Sequence, residues 1–341
     1  MRTRLALAVL LFALAPWPSA YAQAPVARMP PPLEVPIERT TRLLVISPHP
    51  DDEILGAGGL IRRVITRGGS VHVVWMTSGD AFPEGVETAE GISRNARLTP
   101  RDFQTYGDLR EHEAISALGS LGVPSASLTF LGFPDEGLCD LASTYLSAKA
   151  AAFKSPYTGQ ISPPLTEQVI RGITYRGMDT RRELERVIRS FGPTLIVTPH
   201  PEDEHPDHCS THIFLREALD ALSRAGRVRP RVIHYLVHYG QWPLETADAA
   251  KSALLPPPRF PPAEGRWVSL PLTPDEAAGK RAALLLYHSQ MLVIGRFLLA
   301  FARSNELFLE GEPASLPECW CDGTNVATEA RPSKYRRRPR G

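Results

Sequence analysis

Five short apolar segments rich in Val, Ile and Leu alternate along the chain with segments of helical periodicity. The predicted strands are Leu43–Ser47, Val71–Met76, Leu128–Leu131, Leu195–Thr198 and Val232–Val237. The predicted helices are Leu55–Thr66, Asp108–Leu121, Thr180–Phe191, Cys209–Arg224, Asp275–Tyr287 and Met291–Ala302. Strands buried on both faces are continuous apolar runs, and strands that alternate with helices form right-handed βαβ units. The pattern predicts a doubly wound α/β fold, in which two layers of helices cover a mainly parallel sheet.

The first 22 residues have the features of a secretory signal peptide. Arg2 and Arg4 precede an apolar stretch, Leu5–Ala15, that is too short to span a bilayer as a stable helix. Ala20–Ala22 then provides a cleavage site of small residues. We expect cleavage here and export to the periplasm or medium, with no transmembrane span in the mature chain. An uncleaved N-terminal anchor is the alternative.

The remaining chain divides by composition into three parts. Residues 23–40 are proline-rich and predict a linker, residues 41–310 form the predicted domain, and residues 311–341 form a tail with a basic end. Inside the domain, residues 143–178 interrupt the alternation and indicate an insertion. The net charge is +1, so no overall field favours nucleic acid. The basic end is either a solvated tail or a contact for an anionic polymer or lipid.

Four cysteines are present: Cys139, Cys209, Cys319 and Cys321. Export permits disulfides, but so few cysteines cannot form a disulfide scaffold, and the core must stabilise the fold. Cys319 and Cys321 are too close in sequence for an easy mutual bridge. A bridge from one of them to Cys139 stays open.

Two clusters of ionisable residues follow the first and the fourth predicted strands. The first is "PHPDDE", Pro48–Glu53, and the second is "TPHPEDEHPDH", Thr198–His208. Ligands of open α/β sheets bind at the carboxyl ends of the strands, so the clusters are expected to meet. Crowded buried carboxylates require a cation, and mixed His and Asp donors suit zinc or ferrous iron. The sequence therefore predicts a metal site, in which His200 and Asp203 either take part or only position the segment that follows.

"PHPDDE" together with "HPDH", His205–His208, resembles the LmbE-like or PIG-L family of zinc-dependent de-N-acetylases. Four further segments resemble the same family: "LREHEAISALGSLGV", "FLGFPDEGL", "YHSQM" and "ARSNELF". The likeness extends from about Arg42 to about Phe308. It implies a Rossmann-like three-layer α/β/α domain and a hydrolase that removes N-acetyl groups from amino sugars by metal-activated water.

The resemblance also implies the roles of individual residues. The metal, Zn²⁺ with Fe²⁺ as an alternative, is expected on His49, Asp52 and His208. Asp51 is expected to act as general base. Protonated His205 is expected to support the oxyanion or to deliver a proton, with Asp207 as its orienting carboxylate.

Three residues have competing interpretations. Arg110 is expected to contact substrate or to form a salt bridge with Glu113 on the same helix. Asp135 is expected to bind substrate hydroxyls or to form a turn. Glu53 could cap the first helix, and its role is otherwise unassigned.

Other functions compete with the deacetylase. A zinc amidase acting on a non-sugar amide and, less favoured, a non-catalytic metal- or glycan-binding module stay open. A dinucleotide site is excluded, because the glycines after "PHPDDE" lack the G-x-G-x-x-G pattern and acidic residues would repel phosphate. The expected partner is an N-acetylated sugar or glycoconjugate, not nucleic acid, and the oligomeric state is not predicted.

Overall fold

A computed structural model describes residues 28–93, 96–227, 229–244, 252–261 and 265–311. The predicted signal peptide, Cys319, Cys321 and the basic tail lie outside the described residues. The strands are β1 (Arg42–Ser47), β2 (Ser70–Thr77), β3 (Leu128–Phe133), β4 (Leu195–Pro199), β5 (Arg231–Tyr235), β6 (Arg266–Pro271) and β7 (Asn305–Glu310). The α-helices are α1 (Asp52–Thr66), α2 (Pro83–Ala89), α3 (Pro100–Ser120), α4 (Leu138–Ala142), α5 (Gly177–Phe191), α6 (Pro206–Arg224), α7 (Pro274–Leu284) and α8 (His288–Ala300).

The strands form one sheet in the order β3-β2-β1-β4-β5-β7-β6. β1 to β5 pair in parallel, whereas β7 is antiparallel to both β5 and β6. Successive side chains of a strand face opposite sides of the sheet. Accordingly, Leu43 and Val45 lie in one buried cluster with residues of α1, α3 and α7, while Leu44 and Ile46 lie in a second cluster with α5 and α6. The predicted three-layer α/β fold is confirmed.

Each predicted strand and helix has a counterpart, but several boundaries differ and β6 and β7 were not predicted. α3 begins eight residues before the predicted helix, because Pro100 occupies its first turn and the backbone N–H of Thr99 donates to Asp102 at 2.7 Å. The predicted helix Asp275–Tyr287 ends at Leu284, and Tyr287 lies in the turn before α8. This turn brings Tyr287 toward the edge of the sheet where β1 ends.

The described part of the predicted linker is held against the sheet. The backbone N–H of Leu33 donates to Ser269 O, and the N–H of Ser269 donates to Pro31 O, each at 2.8 Å. These bonds cover part of β6, which is the last strand of the sheet.

The predicted insertion, residues 143–178, is irregular up to the start of α5 at Gly177. Phe153 and Tyr175 anchor it in the core, and the Tyr175 hydroxyl donates to Gly132 O, in β3, at 2.9 Å. The insertion therefore packs on the strand that ends beside the site. Among the described residues, none of the helices has both the length and the apolar character needed to cross a membrane.

Candidate active site

The site forms where β1 and β4, adjacent parallel strands, reach their carboxyl ends. The loop after β1 carries His49 and Asp51, and α1 begins with Asp52. The loop after β4 leads to His205, which caps α6, and His208 lies in the first turn of that helix. The two clusters meet as expected from the sequence.

His49, Asp52 and His208 form the centre of the site. Asp52 Oδ2 lies 3.1 Å from His49 Nδ1 and 3.0 Å from His208 Nε2. All three side chains are buried, and one ligand atom from each lies within 4.8 Å of the others. His49 Nε2 and both ring nitrogens of His208 have no hydrogen bond of acceptable geometry to the described residues. Buried imidazole nitrogens beside a carboxylate fit a divalent metal ion.

Two more sets of three residues meet the same distance condition among the described residues. They are His49, His205 and Asp207, and Asp203, His208 and His238. Every set contains His49 or His208. These two imidazoles are therefore the residues on which any metal site here depends.

The charges of the centre depend on protonation of these imidazoles in the metal-free protein. Burial opposes the charge on His208, but Asp203 and Asp52 outweigh it and raise its pKa to about 9. Burial likewise opposes the charge on His49, and Asp135, Asp207 and Asp52 raise its pKa well above the usual value. A bound metal must displace these protons, because metal-bound imidazole is neutral at the ligating nitrogen.

Asp51 lies beside this centre with its carboxylate directed at Arg110. Asp51 Oδ2 is 3.3 Å from Arg110 Nη2. Burial raises the pKa of Asp51 to about 8; Arg110 opposes this shift, while Asp52 and Glu53 add to it. A carboxyl group with a pKa near the working pH is suited to accept and return a proton.

Arg110 is buried and holds the loop that carries Asp51. Its guanidinium donates to Gly79 O at 2.7 Å and to Pro50 O at 2.6 Å. The alternative salt bridge with Glu113 is not formed: Glu113 accepts from the backbone N–H and the hydroxyl of Ser289, at 2.8 and 2.7 Å. A substrate contact of Arg110 stays a prediction.

Asp135 and Asp207 both approach the second nitrogen of His49. His49 Nε2 lies 3.1 Å from Asp135 Oδ1 and 3.5 Å from Asp207 Oδ2. Asp135 also accepts the backbone N–H of Ala81 at 2.6 Å, and Asp207 accepts that of Glu136 at 2.7 Å. Asp207 therefore orients the turn after β3 and faces His49, and a carboxylate oxygen of Asp207 lies within 4.8 Å of a His205 ring nitrogen. Its expected role as the orienting carboxylate of His205 stays a prediction.

The carboxylate beside the His205 ring belongs to Glu136, which the sequence did not indicate. His205 Nδ1 accepts the backbone N–H of Asp207 at 3.2 Å, and His205 Nε2 lies 3.5 Å from Glu136 Oε1. Burial lowers the pKa of His205 well below the usual value, and His49 and His208 add to this shift. Because Nδ1 accepts a hydrogen bond, the proton of a neutral His205 ring lies on Nε2. The expected protonated His205 stays a prediction.

Asp203 and His200 support the segment before α6. Asp203 accepts the backbone N–H groups of Val237 and His238, at 2.8 and 3.0 Å, and lies 3.2 Å from His208 Nδ1. His200 Nδ1 accepts the backbone N–H of Glu202 at 3.1 Å. Both residues thus position the segment, and Asp203 also orients His208.

The sequence profile described as "PIG-L: GlcNAc-PI de-N-acetylase" matches residues 44–219, about half of the chain. The chain belongs to the PIG-L family. The match covers both clusters, α3 and β3.

Proteins named 1D-myo-inositol 2-acetamido-2-deoxy-alpha-D-glucopyranoside deacetylase are similar to this PIG-L family member. The protein from Rhodococcus jostii (strain RHA1) is 31% identical over 188 residues, which cover 54% of this chain and 55% of that protein. The protein from Mycobacterium leprae (strain TN) is 27% identical over 297 residues, which cover 80% and 87%. The chain spans about half the length of several of these curated relatives.

A solved structure supports the fold. The crystal structure of the A40926 pseudoaglycone deacetylase aligns with a TM-score of 0.50 and 20% identity, covering 81% of this chain and 99% of that chain. At this identity the likeness concerns the α/β fold alone.

Glu53, whose role the sequence left unassigned, is fully buried in this PIG-L domain. Its Oε2 accepts the backbone N–H of Asp51 at 3.1 Å and the indole N–H of Trp75 at 2.9 Å. The Tyr287 hydroxyl donates to its Oε1. Burial raises the pKa of Glu53 to about 7, although these hydrogen bonds oppose the shift. Glu53 therefore binds the residue that precedes α1, and it also links that residue to Trp75 and Tyr287.

Proposed function

We propose that the chain is an exported, metal-dependent hydrolase that removes the N-acetyl group from an amino sugar or glycoconjugate. The observation that carries the proposal is the buried set of His49, Asp52 and His208, immediately preceded in the chain by Asp51, whose carboxyl group Arg110 holds. Family membership supports the reaction class, and the names of the similar proteins support a 2-acetamido sugar as substrate.

His49, Asp52 and His208 would hold a divalent ion. Their mixed nitrogen and oxygen donors suit either Zn²⁺ or Fe²⁺. When bound, the ion supplies a Lewis acid for the acyl oxygen and for water.

The protein's own groups carry the proton transfers. Asp51 takes a proton from the attacking water, whose oxygen adds to the acyl carbon, and Arg110 keeps the Asp51 carboxylate in place. The His205 Nε2–H donates to the acyl oxygen as negative charge develops on it. Asp51 returns the proton to the nitrogen as the C–N bond breaks, which gives acetate and a free amine.

Export rests on two independent features. The first 22 residues have the pattern of a secretory signal peptide. Cys139 and Cys209 are buried and disulfide-bonded, which is typical of an oxidising compartment.

The proposal is tested by measuring acetate release from N-acetylglucosamine oligomers and from N-acyl amino acids, with Zn²⁺-loaded and chelator-treated protein. We expect hydrolysis of the oligomers and its loss on chelation. Hydrolysis of the amino acid derivatives alone would favour the amidase. Stoichiometric metal without any hydrolysis would favour the binding module.

The Asp51→Asn variant tests the proposed base. We expect its kcat to fall by about 10²–10⁴, because asparagine cannot accept the proton, with the metal content unchanged. The control is Asp275→Asn, since the Asp275 side chain is exposed on α7 and pairs only with Arg62 among the described residues. Full activity of Asp51→Asn would exclude Asp51 as the base.

A further inference from the structure

Asp51 has a strained backbone conformation that is unfavourable in free energy for any residue other than glycine. Its φ is 121° and its ψ is −33°, in the region that favours glycine. Such a conformation persists only when surrounding contacts hold it. The contacts that hold Asp51 therefore determine where the proposed base points.

Two groups of contacts hold Asp51, one on its carboxylate side and one on its backbone. Arg110 contacts the carboxylate and also binds the carbonyl of Pro50. On the other side, Glu53 Oε2 accepts the Asp51 backbone N–H at 3.1 Å. Glu53 is thus the side chain that accepts a hydrogen bond from the strained backbone of Asp51.

Glu53 joins three separate elements through one carboxylate. It accepts from the loop after β1 through Asp51, from β2 through Trp75, and from the α7–α8 turn through Tyr287. Burying a carboxylate without hydrogen-bond partners costs free energy. The fully buried Glu53 carboxylate is stabilised because its two oxygens accept hydrogen bonds from several donors at once.

The first residues of α8, directly after this turn, contact α3, the helix that carries Arg110. Ser289, two residues after Tyr287, donates through its N–H and its hydroxyl to Glu113, which lies one turn after Arg110 on α3. Gln290 donates to the Tyr106 hydroxyl, also on α3. The "YHSQM" segment therefore contacts both Glu53 and α3, the helix that carries Arg110.

We propose that Tyr287 is a positioning residue: its hydroxyl fixes the Glu53 carboxylate, which holds the backbone N–H of Asp51 and thereby aims the Asp51 carboxyl at the site. The kinetic consequence rests on the proposed function, whereas the positioning itself does not. Tyr287 does not touch the substrate in this proposal.

The test compares Tyr287→Phe with Tyr235→Phe in the full-chain, Zn²⁺-loaded protein. Both tyrosines are almost completely buried, but the Tyr235 hydroxyl donates to Ile46 O, at 3.2 Å, and not to Glu53. The first readout is hydrogen exchange of the Asp51 backbone amide. We expect exchange about tenfold faster in Tyr287→Phe and unchanged in Tyr235→Phe. Equal exchange in both variants would overturn the proposal.

The second readout is steady-state kinetics on the best N-acetylated substrate. We expect kcat of Tyr287→Phe to fall on the order of tenfold, with KM and Zn²⁺ content near those of the unmodified protein. An unchanged kcat in Tyr287→Phe would contradict the proposal that Tyr287 positions the base, Asp51. If the unmodified protein hydrolyses no N-acetylated substrate, the proposed function fails, and the exchange comparison still decides the positioning.

If Tyr287→Phe does not fold, a pair of Glu53 variants tests whether Glu53 holds the Asp51 backbone N–H. In Glu53→Gln the amide oxygen can still accept from Asp51 and Trp75, whereas Glu53→Leu has no acceptor. We expect slow Asp51 amide exchange in Glu53→Gln and fast exchange in Glu53→Leu. Fast exchange in both, or slow exchange in both, would contradict the proposed route.

Discussion

At the scale of single residues, the candidate metal centre depends on which of three overlapping ligand sets binds an ion. His208 belongs to two sets, one with His49 and Asp52 and the other with Asp203 and His238. Asp203 already accepts three backbone N–H groups, so its acceptor positions are in part used. This favours the set that includes His49 and Asp52.

Alanine variants of two histidines separate the two sets that share His208. We expect His49→Ala to lose stoichiometric Zn²⁺, because it removes a ligand of the favoured set, and His238→Ala to retain it. The measurement is metal analysis after dialysis, with titration of Zn²⁺ into the apo-protein. Loss of metal in His238→Ala and retention in His49→Ala would move the site to Asp203, His208 and His238.

At the scale of elements, α1 is the helix whose position determines the site, because Asp52 begins it and Asp51 precedes it. Its backbone binds a buried ion pair: Lys280 donates to Leu55 O and to Glu306, at 2.8 Å each. Glu306 accepts the backbone N–H of Gly59 at 2.7 Å. The "ARSNELF" segment thus contributes to holding α1, which the sequence did not indicate.

Gly56 allows α1 to approach β5 closely. A Cβ at Gly56 would lie 2.4 Å from the Tyr235 ring, whereas a Cβ at Gly119 in α3 would meet nothing within 4 Å. We expect Gly56→Ala to lower the free energy of unfolding by about 1–3 kcal/mol through overpacking. The matched control, Gly119→Ala, should raise it by about 0.5–1 kcal/mol through helix propensity. Denaturant unfolding measures both, and equal effects would contradict the close packing.

At the scale of the whole molecule, buried neutral imidazoles make the stability of the fold dependent on pH. Burial lowers the pKa of His212 to about 3, and the neighbouring His200 and Arg216 add to the shift. Neither ring nitrogen of His212 has a hydrogen-bond partner among the described residues. Charging this ring in the fold is therefore strongly unfavourable.

The sign of the effect follows from proton binding by the unfolded chain. Above pH 6.5, the ordinary value, His212 is neutral in both states and its contribution is fully present. As the pH falls toward 3, the unfolded chain binds a proton that the folded chain does not, so stability decreases by about 1.4 kcal/mol per pH unit. Denaturant unfolding from pH 7 to pH 4 measures this slope.

The His212→Leu variant should reduce that slope by about 1.4 kcal/mol per pH unit, which is the contribution of one proton. An equal slope in His212→Leu and in the unmodified protein would show that His212 does not contribute.

The sequence by itself determined the fold class and the place of the site. Apolar runs that alternate with helical segments require a sheet covered on both faces, and ionisable residues directly after two strands must lie at its carboxyl edge. The choice of His49, Asp52 and His208 within these two clusters came from the resemblance to the family, not from the strand pattern. Local patterns of this kind depend only on neighbouring residues.

Only the tertiary structure decided which side chains hold the site together. The contact of Glu136 with His205, the partner of Arg110 and the Tyr287 contact with Glu53 each join segments distant in sequence. Such contacts depend on how helices and turns pack on the sheet, and a hydrogen bond requires atoms to meet within a few tenths of an ångström. Residue spacing specifies which elements form, whereas packing specifies which of their side chains meet.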